Sequence, residues 1–322
     1  MTDRQPHTPV LLDEIVGLLA AAPDGVIVDA TLGAAGHASA VIDARLAQYG
    51  SAHLVGLDQD PHALALAEST LARFADNPAV RIDLVRTRFD ALERVLGDLG
   101  VNQISGILFD LGISSMHVDE ADRGFSYRQH GPLDMRMDPD LPISAAELVN
   151  DLPVGELAGL LKRYADEKFA GRIARAIKDT GEVTTTTQLA EIVRDAIPHA
   201  ARRTGGHPAT RTFQALRIAV NDELAALERL LPAAIDRLGI GGVAASLAYH
   251  SLEDRLVKRA FAEAASGCTC PPSLPVCACG KTPRVAHLIR KPVRPSAEEA
   301  AANPRASAAK LRAVRKITEE RS

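Results

Sequence analysis

The chain has 322 residues, enough for one large domain or two ordinary ones, and 46% of them are hydrophobic, enough for a packed core. A formal net charge of −4 excludes a globally cationic nucleic-acid binder, so any RNA contact has to come from local basic patches, and 7 Phe, 4 Tyr and no Trp make base-stacking platforms scarce. The N-terminus Met1-Thr-Asp-Arg-Gln-Pro is polar and no apolar run approaches the ~18 residues of a membrane span, so a cytoplasmic protein without membrane contact is expected.

In chain order, Leu11 to Leu19 carries a helical pattern that ends at the turn Pro23-Asp24-Gly25. Val26–Ala30 reads as a first strand, which turns through Gly33-Ala34-Ala35-Gly36-His37 into a helix closing before Gly50. Leu54–Leu57 is a second strand, ending on Asp58. Asp60 then caps a helix with Pro61 in its first turn and Leu64, Ala67, Leu71 and Phe74 on one face. Val80–Val85 is a third strand and Ile104–Asp110 a fourth. Asp29, Asp58 and Asp110 thereby fall at one edge of a parallel sheet, the edge where open α/β sheets bind ligands.

The alternation then stops. The next convincing strand is Val243–Tyr249, some 133 residues beyond Asp110, against roughly 30 for one strand-helix-strand unit. Between them run three apolar stripes at helical spacing: Val154, Leu157, Leu160, Leu161 and Tyr164; Phe169, Ile173 and Ile177, closed by Gly181; and Leu189, Ile192, Val193 and Ile197, stopped by Pro198. Thr210 to Leu231 reads as one long helix with Phe213, Leu216, Val220, Leu224, Leu227 and Leu231 inward. We expect a discontinuous domain of residues 1–116 and 207–322, interrupted by an all-helical insertion at 117–206. From Lys281 onward 11 Lys or Arg stand against 4 Glu, interrupted by prolines, with a last strand expected at Leu311–Ile317.

The glycine loop and Asp58 point to an adenosine-bearing cofactor, with the loop backbone against the ligand and a carboxylate for ribose hydroxyls. The loop lacks the Gly-x-Gly-x-x-Gly spacing that seats a pyrophosphate. That weakens a nicotinamide dinucleotide and favours S-adenosylmethionine, whose methionine end would meet Gly33 to His37. Phe89, after the third strand, is a candidate flank for adenine or an ordinary core aromatic. Asp110-Leu-Gly-Ile-Ser-Ser115 is the expected reaction loop, with Asp110 the candidate catalytic residue. An exocyclic amine is a poor nucleophile, and a carboxylate or carbonyl that accepts its N–H groups lets the nitrogen become tetrahedral. The Asp/Asn/Ser-Pro-Pro-aromatic loop of many amino-methyltransferases is missing.

His250, Glu253 and Asp254 either line the acceptor pocket or cap a helix at Leu252–Phe261. Arg123, Asp134 and Arg136 either order a loop over the site or form an internal ion-pair network. Arg202, Arg203, Arg211 and Arg217 lie in a stretch without acids and are candidate phosphate contacts. All four cysteines, Cys268, Cys270, Cys277 and Cys279, form two Cys-x-Cys pairs. In a reducing compartment these suggest metal before disulfide, but the spacing departs from the zinc loop, and no metal ligand is assigned.

Taken in order, His7-Thr-Pro-Val-Leu-Leu, Ala30-Thr-Leu-Gly-Ala-Ala-Gly-His37, Asp110-Leu-Gly-Ile-Ser-Ser115, Arg123-Gly-Phe-Ser126, Gly131-Pro-Leu-Asp-Met-Arg-Met-Asp138, His207-Pro-Ala-Thr-Arg-Thr-Phe-Gln214, His250-Ser-Leu-Glu-Asp-Arg255 and Asn303-Pro-Arg305 resemble one family. It is the bacterial 16S ribosomal RNA (cytosine-N4)-methyltransferases. The resemblance covers about residues 7 to 317. It implies a class I S-adenosylmethionine-dependent methyltransferase fold, Rossmann-like with a mostly parallel sheet and a helical insertion. It also implies a decoding-centre cytidine of the small ribosomal subunit as substrate; a homodimer stays open. It assigns cofactor contacts to Ala35, Gly36, His37, Asp58, Phe89, Asp110 and His117. Two departures stand out: many relatives have Arg-Gly-Gly-His where this chain has Ala34-Ala35-Gly36-His37, and position 117 is commonly Gln. Backbone contacts would tolerate the first; the second changes shape and pH response.

Overall fold

The computed structural model describes residues 9–113, 115–203, 207–267, 279 and 281–318. The chain forms two compact units, Met1–Gly112 with Ala225–Ser322, and Ile113–Leu224.

The first unit is built on a seven-stranded sheet: β1 (Val26–Asp29), β2 (Ala52–Asp58), β3 (Val80–Arg86), β4 (Ile104–Asp110), β5 (Leu238–Ala248), β6 (Val285–His287) and β7 (Lys310–Lys316). Their order is β3-β2-β1-β4-β5-β7-β6. The pairs among β1 to β5 are parallel, and β7 runs antiparallel to both β5 and β6. The chain winds outward from β1 to β3, then restarts at β4 on the other side of β1. The crevice between β1 and β4 is the topological switch point, at the carboxyl ends of the strands.

Both faces of the sheet are covered, which is why the central strands read as unbroken apolar runs. Residues still alternate along each strand. Val28, Val55, Ile107, Phe109 and Ala244 pack with Leu96, Leu227, Leu231 and Phe261 of the helices Leu92–Asp98, Glu223–Arg237 and Ser251–Ala265. On the opposite face Ile27, Leu108, Val243 and Ala245 pack with Ile15 and Leu19 of helix Leu12–Ala20. Leu54 meets Ile42, Leu64 and Leu71 from helices Gly36–Tyr49 and Pro61–Leu71 on that second face. Asp60 caps the latter, its carboxylate accepting the His62 N–H at 2.9 Å, with Pro61 at the first helical position.

The helical unit comprises Ser115–Asp119, Ala145–Asp151, Val154–Ala165, Ala170–Thr180, Thr186–Ala196 and Thr210–Asn221. Its core holds Leu157, Leu161, Ile173, Ile177, Leu189, Val193, Phe213 and Leu216, whereas Val154 of the first expected stripe is exposed. A capping box of Ser144 and Glu147 opens its second helix.

The expected long helix Thr210–Leu231 is two helices, Thr210–Asn221 and Glu223–Arg237, broken at Asp222 in the left-handed conformation (φ 52°). Aspartate is one of the few residues that adopts it routinely. Phe213, Ala215 and Leu216 belong to the core of the helical unit, so this unit spans 113–224 where 117–206 was expected, and the first of the two helices stays within it. β5 begins at Leu238 rather than Val243, hidden in the sequence by Gly239, Gly241 and Gly242. The short edge strand β6 carries no periodic signal and was not expected.

Candidate active site

The loop after β1 is tied to both neighbouring strands. Thr31 donates its N–H to Asp29 Oδ1 at 3.1 Å and accepts the Asp110 N–H on its hydroxyl at 2.7 Å. Gly33, at φ 53°, donates its N–H to Asp58 Oδ2 at 2.9 Å, while Asp58 Oδ1 accepts the N–H of Asp60, also at 2.9 Å. Ala34 is exposed at the loop tip. Ala35 is left-handed (φ 63°) at the start of helix Gly36–Tyr49, and its carbonyl accepts the Ser39 N–H at 2.9 Å. A glycine adopts this conformation without strain, so the alanine marks a position set by the loop and not by its own preference. At Gly36 a Cβ would come within 2.6 Å of the Pro9 ring, which presses the N-terminal segment onto the loop.

His37 is 7% exposed, and its Nε2 donates to the Val10 carbonyl at 2.9 Å, which leaves Nδ1 facing Asp110 Oδ2 at 3.8 Å. The same N-terminal segment is held from the far end of the chain: the Leu11 N–H donates to Glu299 Oε1 at 2.7 Å, with Leu11 left-handed at φ 51°. Asp110 also receives the Tyr249 hydroxyl as a donor and the Gly112 N–H at 3.4 Å. The Tyr249 ring lies on Gly112, where a Cβ would meet Cε2 at 2.7 Å, so glycine is required for the reaction loop to pass under the ring. Burial pushes the Asp29 carboxyl up to about 7, with the charges of Asp110 and Asp58 adding to the rise. Burial raises Asp110 as well, opposed by His37 and Tyr249, and it raises the Tyr249 hydroxyl, so tyrosine is the donor in that pair.

Gly33, Ala35, Gly36, His37, Asp58 and Asp110 thus surround one sheet edge. Phe89 opens a short 3-10 turn after β3 and is half-buried against the apolar core of the first face. His117 belongs to the helical unit, 5% exposed and stacked on Phe125 with centroids 4.8 Å apart. Tyr249, Thr31 and Glu299 were missed by sequence reasoning; only Tyr249 carried a signal, its place at the carboxyl end of a strand.

Glu253 takes the capping alternative. It is 2% exposed, and its Oε2 accepts the N–H groups of Tyr249 (2.8 Å) and His250 (3.1 Å), so it fixes the tyrosine's backbone. Asp254 pairs with Arg312 (2.7 Å) and Lys310 (3.0 Å), which hold its carboxyl below the usual range against the burial that raises it. In the helical unit Arg136 forks onto Asp134 (2.7 and 2.9 Å), and Arg123 donates to the carbonyls of Arg136 and Met137, an internal network. Among the candidate phosphate contacts, Arg217 departs from expectation: it is forked onto Glu223 at 2.8 Å through both nitrogens, with both side chains largely buried. The acid lies just past the stretch that lacks acids. Arg202 bonds the carbonyls of Ile197 and Asp195, and Arg211 that of Asp166. The side chain of Arg203 and residues Cys268, Cys270 and Cys277 lie outside the described residues; Cys279 is exposed.

The donor set suits a cationic, phosphate-free ligand. Acidic groups at the strand ends, Asp58 foremost, repel a pyrophosphate and attract an ammonium or sulfonium. The residues present therefore fit S-adenosylmethionine. A family model described as the MraW methylase family matches residues 4–317. The chain is 52% identical over 321 residues to Ribosomal RNA small subunit methyltransferase H of Acidothermus cellulolyticus, covering 98% of this chain and 95% of that protein. It is 50% identical over 315 residues to the protein of the same name from Heliobacterium mobile, covering 97% and 99%. With matches that run nearly end to end on a sheet of this topology, the chain belongs to the MraW methylase family and is a class I methyltransferase.

Proposed function

We propose that this protein transfers a methyl group from S-adenosylmethionine to the exocyclic N4 amine of a decoding-centre cytidine in the 16S rRNA of cytoplasmic small ribosomal subunits. When bound, S-adenosylmethionine supplies an electrophilic methyl carried on a positively charged sulfur. Asp58 accepts the ribose hydroxyls, Phe89 flanks the adenine, and the backbone of Gly33 to His37 meets the methionine end. His117 completes the cofactor set through the family resemblance alone.

Asp110 holds the acceptor amine. Its carboxylate takes an N–H of the cytidine amine, which draws the nitrogen lone pair out of conjugation and toward the methyl. The donor would supply its methyl with the sulfur–carbon bond giving way to the nitrogen–carbon bond, and the amine proton would leave to water. The Tyr249 hydroxyl and the Gly112 N–H keep the carboxylate in one orientation, and Thr31 holds the backbone N–H of Asp110. Arg202, Arg203 and Arg211 are the phosphate contacts of this reading.

The observation that carries the proposal is the junction at the switch point, where Gly33 and Asp60 fix Asp58 while Thr31 and Tyr249 fix Asp110. Incubation with labelled cofactor and small-subunit RNA, DNA or protein tests it. Label is expected in the RNA, and label confined to DNA or protein would overturn the assignment.

A further inference from the structure

In a chain with only 11 Phe and Tyr, three rings stand in a row in the helical unit. Phe213, buried on helix Thr210–Asn221, meets Tyr127 edge-on, with centroids 5.7 Å apart and planes at 82°. Tyr127 lies flat against His207, at 4.4 Å and 10°. Tyr127 is half-buried and His207 exposed, so the row runs from core to solvent. Its outermost ring is fixed in place: His207 Nδ1 accepts the Ala209 N–H at 3.2 Å in the turn leading into the helix. That bond puts the ring hydrogen on Nε2 and keeps the imidazole neutral, and partial burial, Arg128 and Arg194 all hold its pKa below the ordinary histidine value.

Two cations act electrostatically on this flat, neutral, exposed ring. The Arg128 guanidinium lies 5.6 Å from the centre of the Tyr127 ring and is exposed. Arg194 is half-exposed and pairs with its neighbour Asp195 at 3.0 and 3.2 Å, a surface contact of the kind that gives way readily to a phosphate. Core packing accounts for Phe213 and the inner face of Tyr127. It does not account for an exposed imidazole pinned in place by Ala209 and Tyr127 and within the field of two arginines. An unstacked base over an aromatic face, with cations for the adjoining backbone, is how proteins hold single-stranded nucleic acid.

We infer that His207, backed by Tyr127, is a stacking platform for one unpaired nucleobase of the RNA substrate, with Arg128 and Arg194 meeting the adjoining phosphates. The inference rests on the reading that the substrate is RNA. Every base has a π-face, so the platform contributes affinity without selecting a base.

Fluorescence anisotropy of the full-length protein with a labelled single-stranded oligoribonucleotide tests it, beside calorimetry with S-adenosylmethionine as a check on folding. His207→Ala should weaken RNA binding about tenfold and His207→Phe should restore it to within about threefold, both with wild-type cofactor affinity. Arg128→Ala should lower the slope of log affinity against log salt by about one. Wild-type RNA affinity in His207→Ala would overturn the platform while the RNA reading stands. Equal losses in the Ala and Phe variants would overturn it too, because the imidazole would then act only through Ala209. A wild-type protein that neither binds nor methylates RNA would remove the RNA reading, and the platform with it.

Discussion

At the end of β2 the two oxygens of Asp58 each accept a backbone N–H, one from the loop glycine Gly33 and one from Asp60. Charge-assisted bonds of this kind contribute about 1.5–3 kcal/mol each, so Asp58→Ala should raise the cofactor dissociation constant by at least about tenfold by calorimetry. An unchanged constant would remove Asp58 from the cofactor site. Asp29 makes a prediction of opposite character. Its folded-state pKa near 7 lies above the value of 3.8 for a free carboxyl, so between those pH values the folded chain keeps a proton that the unfolded chain has released. Stability should therefore fall as pH rises through this window and level off above 7. Asp29→Asn keeps the acceptor for the Thr31 N–H and cannot ionise, so its denaturation midpoint should drop less than that of the wild type between pH 5 and pH 8. Identical pH dependence in the two proteins would contradict the buried, protonated carboxyl. The acidic residues were legible in the sequence because each ends an apolar run. Tyr249 was not, since an aromatic at a strand end reads as core until Gly112 and Asp110 are found against it.

The elements were legible to the degree that their periodicity was uninterrupted. β1, β2 and β4 stand where the apolar runs place them, because both faces of the sheet are buried there, and the edge strand β3 shows by its alternation. The break at Asp222 was invisible because the apolar stripe continues in phase through it, from Phe213 and Leu216 into Leu227 and Leu231. What changes at the break is the partner core, and periodicity carries no information about partners. Glycines fix the geometry of the connecting segments. A Cβ at Gly131 would stand 2.0 Å from the Ala121 carbonyl oxygen, a backbone atom unable to move aside as a side chain would. Gly131→Ala should destabilise the protein by roughly 3 kcal/mol or more, read as a shift in the urea midpoint. At the other end of the fold, the helix Ala297–Ala302 supplies Glu299 to Leu11, whose neighbours Pro9 and Val10 touch Gly36 and His37. Glu299→Ala should weaken cofactor binding several-fold by loosening that segment, about 1 kcal/mol for one lost hydrogen bond. Glu299→Gln, which retains an acceptor oxygen, should weaken it less.

Over the whole molecule, the chain leaves its sheet after β4 and returns to it with helix Glu223–Arg237 and β5. This plan was legible in the long gap between strands, whereas its boundaries at 112/113 and 224/225 depended on which core each helix joins. The near-neutral charge balance also concealed how many arginines are already committed. Arg217, Arg312 and Arg136 answer acids within their own unit, whereas Arg128, Arg194, Arg202 and Arg211 of the helical unit are assigned to RNA, the pairs of Arg194 and Arg202 with Asp195 being surface contacts. Among the described residues no helix is long and apolar enough to cross a membrane. The central claim concerns the atom that receives the methyl group. The most direct test is nucleoside mass mapping of small-subunit RNA treated with this protein and isotopically labelled S-adenosylmethionine. The account predicts one labelled nucleoside, N4-methylcytidine, from a single decoding-centre position, and no label with Asp110→Ala. Label on a carbon atom of the base, on a ribose hydroxyl, or on any nucleoside other than cytidine would contradict it.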